Sequence, residues 1–597
     1  TALSLANKEE DIGTVYGSNK KPTGLLQKYG ESDAAARVRF GLLTGSYTKN
    51  KSGGVLRKNT TLLSGNTTAA DNEIDLTTGQ FVNQSSTDYG IVNTINRMKI
   101  AGWNFSDKKH KNSCDSPGLL SFNNGECVDW GNPLSEMYLE ALRYFAGKPS
   151  ASSTFDTSDY LPKATWNSGS DPLPSTEWCA LSNTVVLSTG LGSFDDDELT
   201  SDISGVNPAT LTTDVGTLEG IVGSYLIGDN GVTADNLCTG KSLADLKNAK
   251  GLCPEQPSMK GTYYIAGLAY SNQTVDLRSA YAALRANRWG NPAKGNYKPD
   301  YVARQPMATY TVALAESLPK LEIPVAGGKI SFLPACQANS SATATASSTG
   351  WRACSLTDLK VLNLSMSGGN IVSGQLEMAW EDSTWGNDYD MDGKELIDFC
   401  VGSACGAMSG VGANEIRITA ATHYANAGHT LRFGYTVTGS SADGSYLDIL
   451  RPGGANFTSL PLPAGVTPPT SRTFTLGTSV AKLLENPLWY AAKYARSDWD
   501  TKDNQTQASG ADGVPDNYFK VTNPGSLSVA MGKVFEDAAK ADASASAIAT
   551  NSTRLDTDTH VYQALFHTPG WYGELKAVPL SATGVAGTPS WEASSQI

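Results

Sequence analysis

The chain reads as a multi-domain α/β plus β protein, and three observations predict that class. Strand-like and helix-like segments alternate from about residue 36 to 320, the pattern of an α/β domain with a partly parallel sheet. From about residue 306 the pattern changes to strands alone. The length, 597 residues, exceeds what one core organises, so two to four domains are expected.

Within the first part, Val38 to Tyr47 alternates apolar and polar residues and predicts a strand. Gly53 to Arg57 starts another. Ile74 to Val82 reads as a hairpin about Thr78-Gly79. A short helix is predicted over Tyr89 to Met98. A longer amphipathic one runs from Pro133 to Phe145, with Leu134, Met137, Leu139, Leu142 and Phe145 on one face. Residues 148–175 are rich in Ser, Thr and Pro and read as a loop. Thr184 to Gly190 is a compact apolar strand followed by Asp195-Asp-Asp-Glu198, the way a Rossmann-type sheet presents a ligand or metal site. Residues 211–226 and 242–248 look helical, and Thr262 to Tyr270 fits strand or helix equally.

The second part has strands at Thr309 to Leu314, Leu321 to Val325 and Lys329 to Leu333, then at 358–380, 414–424 and 430–439. Asp443-Gly444 marks a hairpin turn into Tyr446 to Leu450, which suggests a β-sandwich-like arrangement. Residues 454–476 read as a Pro/Thr linker. A helix is predicted from Ser479 to Ala495 and another from Pro524 to about Ala539. Val561 to Phe566 and Trp571 to Pro579 close the chain as strands.

Two acidic loops carry the only site chemistry that stands out. Trp380 to Gly393 places Asp388, Asp390 and Asp392 at alternate positions before a glycine. Oxygen ligands on a short turn suit a hard cation such as Ca²⁺. The spacing opens like an EF-hand loop, but Phe399 stands where the bidentate Glu belongs, so it is not one. The second loop holds Asp498, Asp500, Asp503, Asp512 and Asp516, and the same chemistry suggests structural Ca²⁺ there. For both loops the alternative is an acidic turn whose charges are simply solvated.

Composition narrows the function classes. A net charge of −13 argues against nucleic acid as the main partner. No apolar run approaches the ~18 residues of a transmembrane segment. Of the nine cysteines, 114 with 127, 238 with 253, 336 with 354 and 400 with 405 stand as near pairs, which suggests loop-closing disulfides in an oxidising compartment. Cys179 is left over. The five histidines fall in no G-x-S-x-G, H-E-x-x-H or P-loop context, so no catalytic residues are assigned and a non-enzyme is expected.

Longer motifs in order carry a family resemblance. They are Tyr16-Gly-Ser-Asn-Lys-Lys-Pro-Thr-Gly-Leu-Leu-Gln27, Ile265 to Tyr270 with Asp276-Leu-Arg278, and the acidic turn continuing into Ala427 to Tyr435. Pro487 to Tyr494 with Pro515 to Pro524, and Asn551 to Arg554 with Trp571-Tyr-Gly-Glu-Leu575, complete the series. Together, from about residue 16 to the end, they resemble PilC/PilY proteins, which are secreted and associated with the tip of type IV pili. The resemblance implies a von Willebrand A-like domain over 1–320 with loop insertions, and a β-sandwich-like domain over 321–460. It also implies a helical connector over 461–554 and the first strands of a β-propeller over 555–597. On that basis the chain is expected to be a fragment or processed form. The A-type metal loop, D-x-S-x-S, does not occur before Val38, and Thr189 stands where such domains often have Asp. Ser135 reads as a helix-start residue or as the remaining hydroxyl ligand.

The function implied is pilus assembly and extension with surface adhesion at the pilus tip, after export through the periplasm of a Gram-negative bacterium. The implied partners are minor pilins and a host or abiotic surface receptor. The alternatives are a pilus-independent calcium-binding surface adhesin or structural protein and, further off, a secreted hydrolase.

Overall fold

The computed structural model describes residues 13–22, 24–30, 38–98, 103–104, 109–110, 123–126, 128, 131–293, 298–305, 307–314, 321–382, 391–425, 429–451, 469–478, 481–503, 509–521, 523–540, 549–550, 560–567, 572–579 and 590–592. Its first part is built from α1 (Leu134–Phe145), β1 (Ser182–Ser188), α2 (Pro208–Leu218), α3 (Tyr264–Thr274) and β2 (Met307–Leu314). The second part is formed by β3 (Leu321–Val325), β4 (Gly328–Asn339), β5 (Ser355–Ser367), β6 (Asn370–Glu381), β7 (Gly393–Val401), β8 (Glu415–Ala425), β9 (Thr430–Thr438), β10 (Gly444–Arg451) and β11 (Thr470–Thr475). Then come α4 (Pro487–Tyr494), β12 (Tyr518–Val521) and α5 (Pro524–Lys540).

The parallel sheet has the order β12-β2-β1, and β2 pairs in parallel with both neighbours. Side chains alternate along β2. Met307 and Ala313 meet α1, α3 and α4 in one apolar cluster, and Tyr310 and Val312 meet β12 and α5 on the other face. The sheet is therefore covered on both sides, as parallel sheets require. Helix α1 buries Leu134, Leu139, Leu142 and Phe145, the face its periodicity predicts. At the α2–α3 crossing a Cβ on Gly267 would lie 2.4 Å from the Thr212 nitrogen, so only glycine permits that approach.

The second part packs two sheets face to face, β3-β4-β9-β10 against β5-β6-β7-β8-β11. Leu376, Met378 and Trp380 of β6 point inward together with Ile397 and Phe399 of β7, toward Phe332, Phe433 and Tyr435. Disulfides join Cys336 to Cys354, Cys400 to Cys405 and Cys238 to Cys253. Cys114 and Cys127 lie outside the described residues. The last strands form an open four-stranded antiparallel sheet, Ala549–Thr550, His560–His567, Tyr572–Pro579 and Trp591–Glu592.

Several expectations change. The helix predicted over 211–226 ends at Leu218, because Gly220 turns the chain with φ +66°. Gly223–Asp229 then pairs with Ala234–Leu243, so 242–248 is a strand end followed by a single 3₁₀ turn at Leu246–Asn248. Tyr264–Thr274 settles as helix. The helix predicted from Ser479 begins only at Pro487, where the Asn486 side chain accepts from the Leu488 N–H and proline occupies the first turn. The larger change concerns the stretch expected as a helical connector. Within it, α4 packs into the α/β core and β12 is a strand of the parallel sheet. The sandwich is thus inserted between two neighbouring strands, β2 and β12.

Candidate metal centre

The first acidic turn joins β6 to β7. Pairing of Trp380 with Gly393 in that ladder sets the residues after Trp380 beside the residue before Gly393. The Asp392 N–H donates to the Trp380 carbonyl at 2.9 Å. In turn the Asp382 N–H donates to Asp392 Oδ2 at 2.8 Å. Glu381, Asp382 and Asp392, all buried, thereby offer one carboxylate oxygen each within 4.8 Å of one another. Two ligands held ~2.4 Å from one Ca²⁺ can be at most ~4.8 Å apart, so the spacing fits a shared ion. His429, just ahead of β9 in the facing sheet, sets its Nδ1 2.6 Å from Asp382 Oδ2.

Of the residues predicted here, Asp392 takes its place in the cluster, while Asp388 and Asp390 lie outside the described residues. Glu381, Asp382 and His429 were not singled out by the alternating spacing. The signal for the first two is their place directly after the inward-facing Trp380, opposite the start of β7. Three carboxylates this close repel one another in a site sheltered from water, and a divalent cation between them removes that repulsion. Beneath them Glu395 is wholly buried and accepts from Trp380 Nε1 at 3.0 Å. Burial pushes its carboxyl well above the usual range, against the two hydrogen bonds it accepts from Trp380 and from the Gly434 backbone.

The second loop is arranged differently. Asp500 accepts from the Asp512 and Gly513 N–H groups at 3.0 and 2.8 Å. Asp516 accepts from Thr501 and Lys502 N–H at 3.1 Å each. Asp498 is held by two 2.8 Å contacts from Arg496, which keep its carboxyl below the usual range. Asp503 sits in the same loop. These carboxylates pin their own loop and form no close cluster with one another.

The acidic run after β1 is also occupied. Ser135 Oγ donates to Asp195 Oδ2 at 2.6 Å, and the Thr262 N–H donates to Oδ1 at 2.9 Å. Burial raises the Asp195 carboxyl to about 6. Asp196 pairs with Lys250 at 2.5 Å and Asp197 with Lys51 at 3.8 Å. Ser135 therefore acts as a buried hydrogen-bond donor beside the helix start. Its neighbour Glu136 accepts from the Gly53 and Glu198 N–H groups at 2.7 and 2.9 Å.

The family model for the second domain of PilY1 homologs matches residues 40–272, and the one for the PilY1 homolog β-sandwich matches residues 323–481. A type IV pilus biogenesis factor PilY1 homolog from Xylella fastidiosa (strain Temecula1 / ATCC 700964) is 28% identical over 98% of this chain. The chain belongs to the PilY1 homolog family. It spans 42% of the length of that curated relative. No solved structure matches it. The PilY1 homolog β-sandwich match takes in the whole cluster of Glu381, Asp382, Asp392 and His429.

Proposed function

We propose that the chain is part of a secreted type IV pilus protein that sits at the pilus tip, promotes pilus assembly and extension, and contacts surfaces. The observation that supports this reading is its similarity, along almost its full length, to a named pilus biogenesis factor. That similarity gives a pilus-related role, and pilus components are the corresponding partners. No helix among the described residues is long and apolar enough to cross a membrane, and the three disulfides suit an exported protein. In this reading the parallel sheet with its helices is the von Willebrand A-like part, and the antiparallel sheet near the end is the start of a propeller. The protein works by binding, not by catalysis.

Ca²⁺ is proposed at the β6–β7 turn, held by Glu381, Asp382 and Asp392 with Asp388 and Asp390 from the same loop. The second loop, with Asp498, Asp500, Asp503, Asp512 and Asp516, is proposed as a further structural site. Labelling the protein on intact cells and imaging the pili by electron microscopy tests the placement. Label at fibre tips supports it. Label over the cell surface with bare tips replaces it with a pilus-independent calcium-binding adhesin. For the second loop, Asp500→Ala should lower the number of Ca²⁺ bound in calorimetry, and an unchanged stoichiometry refutes that site.

A further inference from the structure

Strand β5 is the outer strand of its sheet, and among the described residues only β6 pairs with it. It is 13 residues long and holds no proline. Such an edge, left open, is a template for another strand. The ladder with β6 sorts the side chains of β5 onto two faces. Leu359 lies opposite Met378 and Val361 opposite Leu376, both buried in the sandwich core, so these two face inward. Asp358 lies opposite Ala379 and Lys360 opposite Glu377, and they face outward. Leu364, opposite Gly374, faces inward again: a Cβ on Gly374 would meet both its side chain and the ring of Phe399.

The inward side of β5 is nonetheless uncovered. Val361, Leu362, Leu364 and Met366 are 43 to 60% exposed, side by side on one strand. A contiguous apolar stripe of this kind marks an interaction surface. The ladder shifts register on either side of Asp358 to Val361, so that run is the longest regular stretch of the open edge.

We propose that this edge pairs antiparallel with the same edge of a second copy of the chain, on a two-fold axis at Leu359. Charge decides the register. Residues directly opposite in an antiparallel pair share a face, so the axis passes through a residue of the regular run. At Asp358 or Lys360 it would set that charge against itself. At Val361 it would set Lys360 against Leu362. At Leu359 each Lys360 meets the second copy's Asp358, twice over by symmetry. Asp358 has room for that partner: its ion pair with Lys360 in the same chain is 3.6 Å long, and both side chains are more than half exposed. Glu377, 3.9 Å from Lys360, continues the alternation of charge across the joint. On the inward side Leu359 meets its own copy, and Leu362 comes beside the second copy's Leu356. Pairing of residues 355–363 spans about 30 Å, and across a sheet ~10 Å thick it buries roughly 300 Å² per copy. That is well under the ~800 Å² per copy of a stable complex, so the dimer is reversible and forms at high concentration. The inference does not depend on the pilus reading.

Sedimentation velocity of the whole chain, over a concentration series to about 200 µM, tests this and should show a shift toward dimer. Asp358→Lys and Lys360→Asp each set like charges across the axis and should weaken association about tenfold. The double variant restores opposite charges and should associate within about threefold of wild type. Leu359→Cys should cross-link to its own copy on mild oxidation, since opposite Cβ atoms lie ~4.5–5.5 Å apart. Ser367→Cys, beside the Gly368-Gly369 turn, should not. A monomer at every concentration, single variants that associate like wild type, or a double variant as weak as the single ones overturns the proposal.

Discussion

His429 Nδ1 stands 2.6 Å from Asp382 Oδ2, and this contact links the two sheets of the sandwich at the acidic turn. Asp382 follows a strand of one sheet and His429 precedes a strand of the other. The carboxylate is thus oriented by a residue that the local sequence around the turn does not contain.

Calcium affinity should follow that arrangement. Asp382→Asn and Asp392→Asn each remove one negative oxygen from the cluster and should weaken Ca²⁺ at least about tenfold in calorimetry. His429→Ala should do so by a similar factor through lost orientation. Chelation should lower the melting temperature of the wild-type chain by clearly more than it lowers that of Asp392→Asn. An identical binding heat in Asp382→Asn and wild type would remove the ion from this site.

Acid–base behaviour should report Glu136. Burial raises its carboxyl to about 8 from an ordinary 4.5, with Asp197 and Asp195 adding to the rise and the Gly53 and Glu198 N–H groups opposing it. The folded chain holds a proton that the unfolded chain has released between pH 4.5 and about 8. Its contribution to stability is complete below pH 4.5 and is lost as pH rises through about 8, by at most about 5 kcal/mol. Glu136→Gln turns an amide N–H₂ toward a backbone donor, so it should be less stable than wild type at pH 5. That deficit should shrink by pH 8.5. Parallel denaturation curves at both pH values would falsify the assignment.

The Cys336–Cys354 disulfide closes a longer loop than Cys400–Cys405, a separation of 18 residues against 5. Replacing Cys336 and Cys354 by Ala should cost about 3 kcal/mol, and replacing Cys400 and Cys405 clearly less. Urea unfolding of the two variants checks the order, which must reverse if loop length is not what matters.

The insertion makes a prediction about truncation. A chain ending at residue 480 keeps every strand of the sandwich but removes α4, β12 and α5, whose Leu488, Ala491, Tyr518 and Val534 complete the α/β core. It should retain the two sandwich disulfides and bind a hydrophobic dye strongly. Were β12 only part of a connector, dye binding would stay at the wild-type level.

Elements set by nearby residues could be read directly. Helix α1 shows its buried stripe in its own twelve residues, and the three short-range disulfides follow from near pairs of cysteines. What escaped depends on distance along the chain. Strand β12 has four residues, and Thr311 of β2, over two hundred positions earlier, pairs with Tyr518. No local pattern announces such a partner. In the candidate site Asp392 was visible as part of an alternating run. Glu381 and Asp382 enter only because the register sets Trp380 against Gly393. Gly220 and Gly223 were the residues that should have stopped the helix predicted to 226, since both adopt positive φ.

The placement of the sandwich between β2 and β12 also governs how tension would travel. Pulling on the two sides of this region enters β2 at Met307 and leaves β12 at Val521. Because the strands are parallel neighbours, the ladder from Thr311–Tyr518 to Leu314–Val521 is loaded in shear, with its hydrogen bonds sharing the force at once. The sandwich hangs as a slack side loop of that path. Its acidic turn feels no pull until the ladder itself slides, and the reach of its chain is then released in a single step.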